Sequence, residues 1–122
     1  MGSFSCLASI DSESKRSYSA SAYYKPVEFR QNLHVLTNSH VEKILFDKSN
    51  PPKAIGVQYS LEALKEASAR KEVILAAGVL QSPKILELSG VGGVELLRKH
   101  GIDVVMDLPG VGQNLQGMWT AP

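Results

Sequence analysis

The apolar positions of this chain change their spacing from one stretch to the next. The segment LHVLT at 33–37 alternates, Val41, Ile44, Leu45 and Phe46 carry a second run, and AIGVQYS at 54–60 a third. A period of two marks a strand with one buried face. The joints between these runs, Asn38-Ser39 and the polar, Pro-containing stretch 47–53, are short, so the pattern predicts an antiparallel β-meander over 33–60. The run EVILA at 72–76 is contiguous and rich in β-branched residues, which suits a fully buried strand of a parallel sheet. Ala77 and Gly78 follow, both small, where the backbone turns tightly or comes close to something.

Helical spacing takes over next. Ser82 is placed as an N-cap with Pro83 at the first helical position, where a missing N–H costs nothing. Ile85, Leu86, Leu88 and Ser89 then form a buried stripe, and Gly90 ends the helix where φ > 0 is often needed. Residues 94–100 predict a short amphipathic helix with Leu96 and Leu97 inward and Gly101 just past its end. A strand over 102–106 and a turn-rich crossing over 107–112 complete the pattern.

Two segments read differently. Residues 12–24, SESKRSYSASAYY, predict a helix capped by Ser12 or Asp11, with Ala20, Tyr23 and Tyr24 on one side. Residues 61–71, LEALKEASARK, have helical propensity, with Leu61, Leu64 and Ala67 on one face, and the decision falls to tertiary context.

Composition narrows the function classes. A chain of 122 residues holds one modest domain. Its formal charge of +1 gives no field for nucleic acid or anionic membrane. No apolar run approaches the roughly 20 residues of a membrane span. Cys6 is the single cysteine, so no intrachain disulfide forms. The MGS start invites N-myristoylation at Gly2, but Cys6 stands where a hydroxyl is normally wanted.

The candidate chemistry lies in the strand-to-helix turn around Ala77 and Gly78, whose small residues and free N–H groups can face an anionic group such as a pyrophosphate. The plainer reading is an ordinary β–turn–α unit that binds nothing. Other constellations fail on spacing. Ser17, Tyr18 and Lys25 do not make a short-chain dehydrogenase triad, because Ser21 stands four residues before the lysine. Gly110-Val111-Gly112 has Leu115 where a dinucleotide fingerprint needs its third glycine. His34 and His40 lack an accompanying cysteine or carboxylate cluster and read as solvated strand positions, so neither a metal site nor a catalytic residue is assigned.

Gly78, Ser82, Pro83, Ile85, Leu86, Ser89, Gly90, Val91 and Gly92, at these spacings, resemble the second signature of the glucose–methanol–choline (GMC) oxidoreductases, with Val79 as one departure. The likeness extends to Lys15-Arg16-Ser17 with Ala22-Tyr23-Tyr24, to RQNLHVLT at 30–37 with Val41, and to DLPGVGQNLQ at 107–116. It breaks at Gly117 and Met118, where the family has Asp–His. The resemblance covers residues 16–116, between an irregular segment 1–15 and a tail 117–122. It also favours a strand within 61–71.

The resemblance implies an α/β fold, an incomplete FAD-binding domain with a parallel-sheet strand–helix unit and an antiparallel meander. It implies FAD as cofactor, with the Val41 backbone meeting adenine and Ala77 and Gly78 packing on the cofactor. The implied activity is oxidation of the CH–OH group of a small alcohol by hydride transfer to the flavin. The family's G-x-G-x-x-G turn and C-terminal catalytic His are not in this sequence. His100, at a helix end, is not assigned that role, and the chain reads as an internal piece of such an enzyme. The alternative is an inactive remnant or interaction module that binds no flavin.

Overall fold

The computed structural model describes residues 9–117, so Gly2, Cys6 and Met118 lie outside the described residues. The chain divides into two units, Met1–Thr37 and Asn38–Pro122.

In the first unit the Asp11 carboxylate accepts the backbone N–H groups of Glu13 and Lys15, each at 2.9 Å. Ile10 and Arg16 pair antiparallel across this loop, and Ser14 takes φ 61°. Asp11 therefore closes a tight loop and caps no helix at residue 12. The helix predicted over 12–24 contracts to a single wide turn, Ala20–Tyr24, and a 3-10 turn, Lys25–Val27. Asp and Ser side chains compete locally for backbone N–H groups, and Pro26 cannot continue a helix. Tyr23 is 78% exposed, so the expected aromatic face is not buried. Residues 33–37 form no strand, and Leu33, Val35 and Leu36 are exposed. Their alternation supplies a face but no ladder partner among the described residues, and a strand without partners is not stable.

The second unit begins with three antiparallel strands in chain order: β1 His40–Phe46, β2 Ala54–Leu61 and β3 Ala63–Ser68. The meander expected at 33–60 is thus present but lies one strand further along. Residues 61–71 supply its third strand, with Val57 opposite Ala67 and Tyr59 opposite Lys65. Pairing overrides helical propensity here, as the resemblance suggested. β3 is exposed along its length, and Lys65 and Glu66 on this edge discourage pairing with other chains. Between β1 and β2 the Asp47 carboxylate accepts the N–H groups of Ser49 at 3.1 Å and Lys53 at 2.8 Å, which fixes the connection.

Residues 72–76 are a correction. They form no strand, and Ile74 is 79% exposed. A buried parallel strand needs a ladder on its edges and cover on its faces, and no described segment provides them. The parallel pairing of this unit lies elsewhere, between β4 Val91–Gly92 and β5 Met106–Asp107, with Val91 opposite Met106. The strand predicted over 102–106 is reduced to this short pair.

Helix α1, Gly78–Leu88, starts four residues before the predicted cap at Ser82. Pro83 therefore sits inside the helix, not at its first position. Its missing N–H falls opposite Val79, in the exposed first turn, where the lost bond costs least. Gly90 is left-handed at φ 85°. A Cβ there would run into the Asp103 carbonyl and the Val105 side chain, so glycine is required on both counts. The Gly90 carbonyl accepts from Val105 at 2.8 Å and Met106 at 3.1 Å, joining the end of α1 to the β4–β5 pair. Helix α2, Val94–Lys99, buries Leu97 to 1% exposure, but Leu96 is 39% exposed and does not face inward as expected.

The apolar core of the described residues is small: Ile44 of β1, Ile85 of α1, Val91 and Leu97. Its only buried polar side chain is Ser89. The Ser89 hydroxyl accepts the Ile44 N–H at 2.8 Å and donates to the Ile85 carbonyl. That pair of bonds pins α1 against the β1 edge that β2 leaves free.

Candidate functional site

Helical geometry decides which residues of α1 share a face. Positions three and four apart lie on one side, so Ala77, Gln81, Lys84, Ile85 and Leu88 form a single stripe. The structure sets this stripe against His40 and Val41 at the start of β1, and together these seven residues line a cleft of about 310 Å³. Ile85 forms its buried floor, Val41 is half-buried, and His40, Ala77, Gln81, Lys84 and Leu88 are exposed at its walls.

Val41 and Ala77, two of the three residues assigned to the cofactor, are thus brought together from opposite sides of one cleft. Gly78 does not line it but follows Ala77 directly and begins α1 with φ 84°. A Cβ built on Gly78 meets nothing within 4 Å. The glycine is needed for its backbone turn, and the space around it is open. Ala77 caps α1 without a side-chain hydrogen bond, and no acidic residue stands in the first turn. The N–H groups of that turn therefore have no capping side chain to satisfy them.

The cleft holds three polar side chains: Gln81 and Lys84, which the sequence pattern did not single out, and His40, which it read as a solvated strand position and which is exposed at the start of β1. The signal was available. Counting four, seven, eight and eleven residues on from Ala77 gives Gln81, Lys84, Ile85 and Leu88, but a helix begun at Ser82 hides the first of these. Lys84 has no ion-pair partner among the described residues, where the ion pairs are Lys15–Glu13 and Lys25–Glu28. Most of the cleft wall is aliphatic, with a few polar groups at the rim, as in small-molecule sites.

His100 does not line this cleft. It borders an adjoining hollow that shares Lys84 and Leu88 with the cleft and adds Glu87, Leu96, Leu97 and Ile102. Among the described residues no three His, Cys, Asp or Glu side chains come together as metal ligands.

The family model described as GMC oxidoreductase matches residues 2–118. A GMC oxidoreductase family protein of Malassezia sympodialis, Mala s 12, is 49% identical over 120 residues, covering 94% of this chain and 19% of that protein. An oxygen-dependent choline dehydrogenase of Cronobacter sakazakii is 42% identical over 110 residues, covering 88% of this chain and 19% of the enzyme. Among solved structures, an FAD-dependent oxidoreductase from Chaetomium thermophilum superposes with a TM-score of 0.79 at 46% identity, covering 88% of this chain and 19% of that one. The chain spans about a fifth of the length of each of these proteins.

Proposed function

The chain belongs to the GMC oxidoreductase family, and from that premise we propose that it forms part of the flavin-binding region of an FAD-dependent alcohol oxidoreductase. In this reading the cleft between β1 and α1 receives the adenine end of FAD. The Val41 backbone meets the base, and Ala77 and Gly78 let the cofactor approach the start of α1. One observation carries the reading: Val41 and Ala77, 36 positions apart in sequence, line the same cleft.

The residues fit such a group. A volume of about 310 Å³ is at the low end for a small-molecule site and suits one end of a dinucleotide. Val41, Ile85 and Leu88 offer apolar surface for a flat base, and the exposed Lys84 ammonium offers charge toward phosphate. The open space at Gly78 leaves room for close approach of a ligand to the main chain. Bound flavin would supply hydride acceptance from the CH–OH carbon of a small alcohol. This chain's own residues would hold the nucleotide end and leave proton removal to a base outside residues 1–122.

The test is titration of the isotope-labelled chain with FAD, followed by NMR. Shifts concentrated at the amides of Val41, Ala77 and Gly78 are expected. Saturable shifts elsewhere that leave these three unmoved would overturn the reading.

A further inference from the structure

We infer that Gln81 reads the adenine edge and makes the cleft selective for adenine nucleotides. The inference rests on the proposed placement of the FAD adenine between β1 and α1. Three side chains at the cleft can recognise a base: His40, Gln81 and Lys84. Lysine carries donors only, and a neutral imidazole holds its donor and acceptor on opposite sides of the ring. Among these three side chains only the Gln81 amide presents a donor and an acceptor side by side.

That arrangement matches one base edge. Adenine offers an N7 acceptor beside an N6 amino donor, and a carboxamide pairs with both at once. Guanine offers N7 and O6, two acceptors, so the same amide satisfies one and sets its carbonyl against the other. Gln81 is available for the task. Its side-chain amide has no hydrogen-bond partner among the described residues, and it is exposed at the cleft wall, one helical turn from both Ala77 and Ile85. Lys84, one turn further on, attracts phosphate without regard to the base, so selection falls to Gln81.

The test compares AMP with GMP on the 122-residue chain by NMR titration, with Gln81→Leu as the variant. The parent chain is expected to favour AMP by roughly tenfold, the size of one bidentate base contact. Its Gln81 side-chain NH2 resonances should move with AMP and not with GMP. Gln81→Leu should lose about tenfold in AMP affinity, leave GMP unchanged and erase the preference, with an unaltered melting temperature. An AMP preference that survives the substitution, or equal binding of AMP and GMP by the parent chain with Val41 shifting for both, overturns the role of Gln81 and leaves the flavin reading standing. If neither nucleotide nor FAD moves the Val41 amide, both fall together.

Discussion

The hydroxyl of Ser89 accepts the backbone N–H of Ile44 at 2.8 Å, across 45 residues of sequence. Both residues are buried, and the bond closes the gap between the last turn of α1 and the open edge of β1. The same hydroxyl donates to the Ile85 carbonyl, so its donor and one acceptor site are both used. A serine is small enough to stand between helix and strand, and no aliphatic residue could satisfy the Ile44 N–H. The two elements held by this bond are the two walls of the cleft.

Ser89→Ala should therefore destabilise the fold by about 1–3 kcal/mol, the cost of an unsatisfied buried donor. Urea denaturation checks the magnitude. Hydrogen exchange checks the cause, because the Ile44 amide should exchange faster than its neighbours in β1. An unchanged midpoint with an unchanged Ile44 rate would show that the bond contributes nothing.

Gly78 makes a different demand. Its φ of 84° lies in the left-handed region, while a Cβ there touches nothing within 4 Å. Substitution is costly for conformation and not for crowding. Gly78→Ala should lose about 1–2 kcal/mol, and Gly78→Asn less, since asparagine visits this region more readily. Equal stability of the alanine and glycine proteins in urea would contradict the turn.

The sequence was most legible where a local signal and the tertiary contacts agree. Gly90 and Gly101 are left-handed after their helices, as their positions indicated, and Ala54–Leu61 is a strand. It misled where a local pattern lacked partners. Residues 33–37 alternate, and 72–76 is apolar, yet neither has a strand to pair with among the described residues. In 61–71, β2 imposed a strand on a segment with helical propensity. At the candidate site, the small turn residues and Val41 could be named from the resemblance. Gln81 and Lys84 could not, because Pro83 suggested a helix start five residues too late to place both on the Ala77 stripe.

Asp47 should confer a pH dependence on the β1–β2 connection. Hydrogen bonds from the Ser49 hydroxyl and the Lys53 amide hold its carboxyl below the ordinary value of 3.8. A depressed acid stabilises the folded state above its unfolded value, and that contribution is lost as pH falls through the folded value. Asp47→Asn should accordingly reduce stability at neutral pH and flatten the acid limb below about pH 4. Melting curves from neutral to acid pH distinguish this from a uniform loss. The amides of Ser49 and Lys53 should report the titration directly by NMR.

Val41 tests the backbone part of the site. If the main chain carries the contact, Val41→Ile should keep FAD-induced shifts while Val41→Pro should abolish them, because proline deletes the N–H donor. Circular dichroism establishes that the proline protein is folded. Undiminished binding by a folded Val41→Pro protein would remove Val41 from the site.

The last prediction concerns catalysis. The protein of residues 1–122 should oxidise no alcohol, even with FAD added. Hydride transfer requires the flavin ring fixed against the substrate carbon and a base within hydrogen-bond reach of the hydroxyl. The cleft between β1 and α1, proposed to take the nucleotide end, has a volume of about 310 Å³. The histidine within it, His40, lines the cleft proposed for the nucleotide end and is not proposed as the base. His100 lines the adjoining hollow beside Leu96 and Leu97 and is not among the residues of the cleft. Exposed apolar side chains add a second obstacle. Ile74, Val79, Leu80 and Leu115 are each between 66% and 79% exposed, a surface that favours association between copies of the chain. The assay is a panel of primary and secondary alcohols, with oxygen and with a dye as acceptor, against a heat-treated control. Turnover above that control, abolished by His100→Ala, would show that His100 is the base and that this chain carries a complete site.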